Sequence, residues 1–582
     1  MKIVRILAQS IKNYKKAAIL TIVFVTLEAM FETTIPYIMA KMINEMKVLS
    51  DIQPIINYGI VLIILACCSL TFGIFSAVFS AEASSGYAKN LRRDLYYKVQ
   101  DYSFKEIDKF STSSLVTRLT TDITNVQMAY EMIIRGAVRT PLMIIFSFIM
   151  SFLISWKMAL IFVAIIPILV LALWLLLSKA FPLFKKIFKK YDSMNNSVQE
   201  NIEGIRVTKS FVREEYEKNK FDFVANDVKN NFTKAEKLVA LNNPIMIFVI
   251  FIAMLCVSYF GSRMIINTGA TELDIGDLSS LITYGMQILT SVMMLSMVFI
   301  LITIASESSR RIAEVLTTES SLNPNLDGLE NIEDGDIEFK GVNFKYSEEA
   351  NKFALKNIDL KIRSGETIGI IGGIGSSKTT LIQLICRLYD TTEGEVLVGG
   401  VDVKEYNLKD LRDQVAVVLQ KNVLFSGTIK ENICWGKPDA TDAEIENVCK
   451  IAQADEFIQQ LPDKYDTFIE RGGTNVSGGQ KQRLCIARAL IKNPKIIIFD
   501  DSTSAVDTKT DAKIRKSMAE EIPNTTKIII AQRIASVQDA DRIAVMSKGE
   551  IVEIGSHDEL IKLNGIYSEV FTSQTTEKGG QN

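Results

Sequence analysis

The stretch Glu366-Thr367-Ile368-Gly369-Ile370-Ile371-Gly372-Gly373-Ile374-Gly375-Ser376-Ser377-Lys378-Thr379 decides the fold of the C-terminal half. An apolar β-type run, 366–371, enters a glycine-rich loop, and 380–389 continues with helical spacing. Strand, loop and helix in that order make a phosphate cradle. Backbone N–H groups from Gly372, Gly373, Ile374, Gly375, Ser376 and Ser377 through Thr380 at the helix start can face an anion. Lys378 reaches β/γ-phosphates, and the Thr379 hydroxyl binds Mg2+. Ser377 stands where such a loop usually has glycine, so a side chain crowds the backbone's approach to phosphate.

Working outward, 495–499 is a second β-rich run, and it ends in Asp500, a carboxylate suited to Mg2+. Upstream of it, Ser477-Gly478-Gly479-Gln480 opens the helical stretch 481–490, another anion-binding terminus. From Asp336 onward strands and helices alternate, as in an α/β domain of about 230 residues.

The first half has a different solvent. Runs 17–40, 58–81, 133–155, 158–178, 245–266 and 278–305 are each long enough to cross ~30 Å of hydrocarbon. The whole chain, 582 residues, has a mean hydropathy of +0.19, which argues against intrinsic disorder and a purely cytosolic protein. The basic N-terminal segment up to Lys16 reads as an amphipathic lead-in to the first span, because the apolar run exceeds a signal-peptide core. Lys and Arg number five before the first span, seven in 82–132 and thirteen in 179–238; the other three connections hold Lys41, Lys47, Lys157 and Arg263. That bias places both termini and the two long connections in the cytoplasm. Both connections keep helical spacing with almost no Gly or Pro, so the spans should continue past the bilayer as stalks.

The expected organisation is a six-helix, all-α transmembrane domain over 1–312, a polar linker over 313–335, an α/β phosphate-loop nucleotide domain over 336–571 and a disordered tail over 572–582. A formal charge of −2 argues against nucleic acid as a partner. Seven scattered cysteines with no C-x-x-C pair argue against a disulfide framework or zinc site, and a single histidine, His557, excludes a multi-histidine metal site.

The phosphate loop, Gln420 after the 415–420 strand, Ser477-Gly478-Gly479-Gln480, Asp500 and Ser504-Ala505-Val506-Asp507 occur in an order that resembles an ABC transporter. Six spans before one nucleotide domain resemble an exporter-type half-transporter. The resemblance implies an ATPase that uses ATP and Mg2+ to move substrate across a bacterial cell membrane. It implies that Tyr346 stacks on adenine, and that Thr379, Gln420 and Asp500 hold Mg2+, with Gln420 sensing the γ-phosphate. Ser477, Gly478, Gly479, Gln480 and Asp507 would act on the partner's ATP. It also implies that Glu470-Arg471-Gly472 meets coupling helices near 111–115 and 201–209. Tyr346 can equally be strand packing.

Two departures fall on the chemistry. The family places a glutamate after Asp500 to polarise water, and here it is Asp501, one methylene shorter. The family places a histidine after a later strand, and here Ala531-Gln532-Arg533 stands there. Gln532 can hydrogen-bond a γ-phosphate but cannot become cationic. His557 comes a further strand later, as a surface or turn residue. The pattern resembles the degenerate-site subunit of bacterial heterodimeric multidrug ABC exporters. It implies a partner carrying the glutamate and the histidine. Tolerated substitutions in a working hydrolase are the alternative reading, and a regulatory subunit that binds ATP with little turnover is the alternative function.

In the membrane half, Glu28 and Glu32 lie four apart on one helix face. They are either a polar wall for cationic or amphipathic substrates or a structural pair with Arg135 or Arg139. Met286 and Met293 belong to a methionine stripe with Met294 and Met297, which suits an adaptable surface for small hydrophobic substrates or membrane lipids, or simple packing.

Overall fold

The structure is a computed structural model that describes residues 2–46, 52–501 and 506–579. Six helices among these residues are long and apolar enough to cross a membrane: Ile3–Met46, Gln53–Gln100, Thr112–Ile154, Trp156–Leu176, Glu214–Thr268 and Ile275–Thr317. Each apolar run of the sequence falls on one of them, to within two residues at its ends. Gln53–Gln100 alone has 48 residues. At ~1.5 Å per residue it is about 72 Å long, more than twice the hydrocarbon thickness of ~30 Å.

The chain divides into two compact units. Asp101–Ser111 clusters with the chain from Glu319 onward, and the rest through Thr318 forms the first unit. In the first unit the helices meet through small residues and buried polar groups. A Cβ on Gly276 would lie 2.3 Å from the Ala40 carbonyl oxygen, so the first and last spans touch through backbone there. Nearby, the fully buried Tyr284 donates to the Thr33 carbonyl at 2.7 Å. Farther along, a π-helical turn, Arg118–Asp122, aims the buried Asp122 carboxylate at Arg311, which holds it through two bonds of 2.9 and 2.5 Å.

The second unit is built on a six-stranded sheet. In spatial order its strands are Glu550–Gly555, Arg542–Ser547, Thr367–Gly372, Thr526–Ile530, Ile496–Asp500 and Val415–Val418. All pairings are parallel except the first, which closes an edge. Ile496 and Ile498 pack into one apolar cluster and Ile497 and Phe499 into the other, so both faces are buried. That two-sided burial explains why the strands read as continuous apolar runs. An antiparallel sheet of Leu355–Ile362, Ile337–Phe344, Glu393–Val398 and Val401–Asp402 lies beside it in sequence and completes the α/β domain.

One expectation needs correction. Residues 572–579 of the expected disordered tail are helical: they continue the helix Ile566–Gly579, which has Tyr567 fully buried and Val570 and Phe571 packed on the core, and 580–582 lie outside the described residues. Its polar composition hid that short apolar face. In the second unit, Phe104–Phe110 is a short helix just ahead of 111–115. Ser103 and Glu106 form its capping box, and Glu106 also accepts the Ser321 N–H at 3.3 Å.

Candidate functional site

Thr367–Gly372 delivers the loop, and the helix it opens runs Lys378–Ile385, starting two residues earlier than expected. Gly373 and Gly375 have no protein atom within 4 Å of a built Cβ, and Ile374 is fully exposed. The loop is therefore bare toward solvent, a cradle that side chains would fill, and a phosphate chain fits it. Ser377 sits at the helix N-cap with φ 71°, a left-handed conformation that suits glycine. Lys378 Nζ donates to the Gly372 and Gly373 carbonyls at 2.8 and 3.0 Å, which holds its charge at the loop. Burial lowers its pKa from 10.5, opposed by Asp501 and Asp500.

Ile496–Asp500 and Thr526–Ile530 are neighbouring parallel strands, and their C-terminal ends bring the chemistry together. Thr379 Oγ1 donates to Asp500 Oδ1 at 3.1 Å. This hydroxyl and carboxylate are hard oxygen ligands that fit Mg2+ alongside nucleotide phosphates. Asp501, at φ 47°, turns out of the strand and donates its N–H to the Ile530 carbonyl at 3.0 Å. Its Oδ2 accepts from Gln532 Nε2 at 3.0 Å and from Gln420 Nε2 at 3.5 Å. Burial raises the pKa of both Asp500 and Asp501 above 3.8. Tyr346 is partly exposed, edge-on to Phe344 and Tyr389, and its hydroxyl pairs with Thr380 Oγ1 at 2.8 Å.

Ser477 caps the thirteen-residue helix Gly478–Leu490 in a capping box with Gln480, so this N-terminus is ordered and exposed. Asp507 caps Thr508–Glu521 by accepting the Thr510 N–H at 2.9 Å. Ser504 and Ala505 lie outside the described residues.

Residues 18–292 match the ABC transporter transmembrane region family, and residues 355–504 match the ABC transporter family. The uncharacterized ABC transporter ATP-binding protein YfiB of Bacillus subtilis is 34% identical, with 98% of each chain covered. The chain belongs to the ABC transporter family. An ATP-dependent lipid A-core flippase of Desulfotalea psychrophila is 32% identical over 86% of each chain. A solved bacterial Atm1-family ABC exporter with ATP bound superposes with a TM-score of 0.82 at 23% identity, covering 97% of this chain and 98% of its own, and so shares the fold. This ABC transporter is therefore a multi-pass membrane protein with a six-helix membrane domain and an ATPase domain.

Elsewhere the transporter distributes the expected residues unevenly. Arg139 takes both carboxylates of the first span, Glu32 Oε2 at 2.6 Å and Glu28 Oε1 at 3.4 Å; Arg135 is not their partner. Glu28 is 9% exposed, and its Oε2 is buried without a hydrogen-bond partner. Met286 is exposed, and Met293, two turns on along the same helix face, is partly buried against a cluster that includes Leu169 and Met246. In the ABC transporter's loop before Ser477, Glu470 accepts from Thr474 Oγ1 at 2.6 Å, and Gly472 turns with φ 72°. His557 is the first residue of the helix His557–Lys562, bonded to the Tyr567 hydroxyl at 2.5 Å.

Sequence reasoning missed Tyr389 and the tail. Tyr389 donates to Asp108 Oδ2 of the short helix Phe104–Phe110 at 2.6 Å and lies edge-on to Tyr346. No motif marks it; its one signal is its position just past the phosphate-loop helix.

Proposed function

We propose that this chain is one half of a heterodimeric ABC exporter that drives hydrophobic or amphipathic compounds across the bacterial cell membrane. Both termini lie in the cytoplasm. MgATP is gripped by the Gly372–Thr380 loop, with Tyr346 against the adenine and Thr379, Asp500 and Gln420 around Mg2+. Mg2+ supplies charge neutralisation at the phosphates.

One observation carries the reading. Asp501, one methylene short of the family's glutamate, is tied by its Oδ2 to Gln532, which stands in the family's histidine position. A carboxylate set back by about 1 Å from its water loses on the order of 100-fold in rate. Gln532 can orient a γ-phosphate but carries no positive charge toward it. This site grips ATP and cuts it slowly. Ser477–Gln480 and Asp507 are intact and complete the partner's site, where a glutamate and a histidine perform hydrolysis. ATP drives the cycle by binding the closed state more tightly than the open one. The name of the lipid A-core flippase relative supports an amphipathic cargo.

The test is ATP turnover by the full-length chain in nanodiscs, alone and with a co-purified second ABC chain. Turnover only in the pair supports the proposal. Brisk hydrolysis by the chain alone overturns it.

A further inference from the structure

The helix Ile566–Gly579 reaches the nucleotide site through one side chain. Gln574 Oε1 accepts the Ile534 N–H at 3.0 Å, and its Nε2 donates to the Gln532 carbonyl at 2.9 Å. One amide thus ties the backbone at two points two residues apart. Between them the chain turns from the strand Thr526–Ile530 into the 3-10 turn Ile534–Ser536. The same residue, Gln532, carries the amide that bonds Asp501. The helix itself is held firmly. Tyr567 is fully buried, and Glu553 accepts the Ile566 and Tyr567 N–H groups at 2.6 and 3.1 Å.

We infer that Gln574 is a positioning residue for the ATP site: it fixes the backbone of Gln532 so that the Gln532 amide meets the γ-phosphate. The C-terminal helix thereby sets the grip of a site whose own chemistry is weak. This rests on the reading of Gln532 as the γ-phosphate contact. Loss of the bond to the Gln532 carbonyl, one hydrogen bond of ordinary strength, corresponds to about a threefold to tenfold change in affinity.

The experiment measures binding of MgATP and MgADP to the full-length chain in nanodiscs for wild type, Gln574→Ala, Gln574→Glu, Gln532→Ala and Gln532→Ala/Gln574→Ala. Alanine favours helix, so the tail keeps its structure in Gln574→Ala. Glutamate keeps the acceptor for Ile534 but loses the donor to Gln532. Both single variants at 574 should weaken ATP about threefold to tenfold and leave ADP, which lacks the γ-phosphate, unchanged. Gln574→Ala should add nothing once Gln532 is alanine. Equal losses for ATP and ADP, or full loss added on top of Gln532→Ala, would mean a merely structural anchor and overturn the inference. If Gln532→Ala weakens ATP and Gln574→Ala does not, this inference alone falls. If Gln532→Ala binds ATP like wild type, the γ-phosphate reading falls and takes this one with it.

Discussion

Gln532 donates from Nε2 to Asp501 Oδ2 across 3.0 Å, so the two residues proposed to weaken this site are hydrogen-bonded to each other. They act as a unit, and restoring either alone should recover less than restoring both. Asp501→Glu advances the carboxylate by one methylene, and Gln532→His supplies a group that can carry charge. The double variant should raise ATP hydrolysis by the full-length chain about 10- to 100-fold, with Asp501→Glu giving the larger single gain. Phosphate release in nanodiscs measures this. No gain in the double variant would show that carboxylate placement does not limit the rate.

Ser377 holds φ 71° at the start of the phosphate-loop helix. A side chain in that conformation costs roughly 1 kcal/mol or more, which glycine avoids. Ser377→Gly should stabilise the nucleotide domain by about 1 kcal/mol, less the backbone entropy that glycine adds to the unfolded chain. It should also tighten ATP binding. Thermal unfolding and ATP titration of the full-length chain check both, and a loss in either contradicts the strain argument.

Much of this was legible before any coordinates. The six spans follow from apolar length, and the phosphate loop from glycines at fixed spacing ahead of Lys378. Ile496–Asp500 is read because a strand buried on both faces is continuously apolar. What stayed hidden depends on partners distant in sequence. Arg139 as the partner of Glu28 and Glu32 was one of two candidates, since Arg135 lies one helical turn away and register alone does not choose. Tyr389 meets Asp108 across 281 residues, a distance no local pattern spans. Gln574 lies in a polar segment whose apolar face is only Tyr567, Val570 and Phe571, too short to show a period.

Burial raises the Asp500 pKa above 3.8 in the folded chain. With the folded value above the unfolded one, the folded state binds more protons within that window. Protonation of Asp500 therefore favours the folded, metal-free chain below it, and this contribution is lost as pH rises through the folded pKa. The proposed Mg2+ site needs the carboxylate, so Mg2+-dependent ATP binding should show the opposite sign and weaken as pH falls toward the raised pKa. The weakening should begin at higher pH than an ordinary aspartate would allow. Titrations of MgATP against pH on wild type and Asp500→Asn check this. The variant should bind weakly and lose this component of the pH dependence.

Tyr389 connects the short helix Phe104–Phe110 to Tyr346, by a bond to Asp108 and an edge-on ring contact. Tyr389→Phe keeps the ring and removes the bond. ATP affinity should change less than twofold, since the ring still supports Tyr346. Stimulation of the assembled transporter's ATPase by hydrophobic cations should fall severalfold, because the segment loses its hold on the nucleotide domain. Equal stimulation in both proteins would place coupling elsewhere.

Arg139 is one cation between two carboxylates, and the partners are not equivalent. Glu28 is the more buried, while Glu32 keeps about a third of its side chain exposed. Removing the guanidinium leaves Glu28 a buried charge without compensation, which is costly in a span. Arg139→Met should destabilise the membrane unit by about 2 kcal/mol, a figure reduced for Arg139's own exposure. Glu28→Gln in the same chain should recover most of that loss, because no charge is then stranded. Glu32→Gln should cost under about 1 kcal/mol, as for exposed pairs. The triad also carries one negative charge in excess of its arginine. Transport of a cationic dye should therefore fall more than transport of a neutral one in Glu28→Gln. Unfolding in detergent reads the first three variants, and vesicle uptake of the two dyes reads the last. An equal effect on both dyes would make the triad a strut between the first and third spans and nothing more.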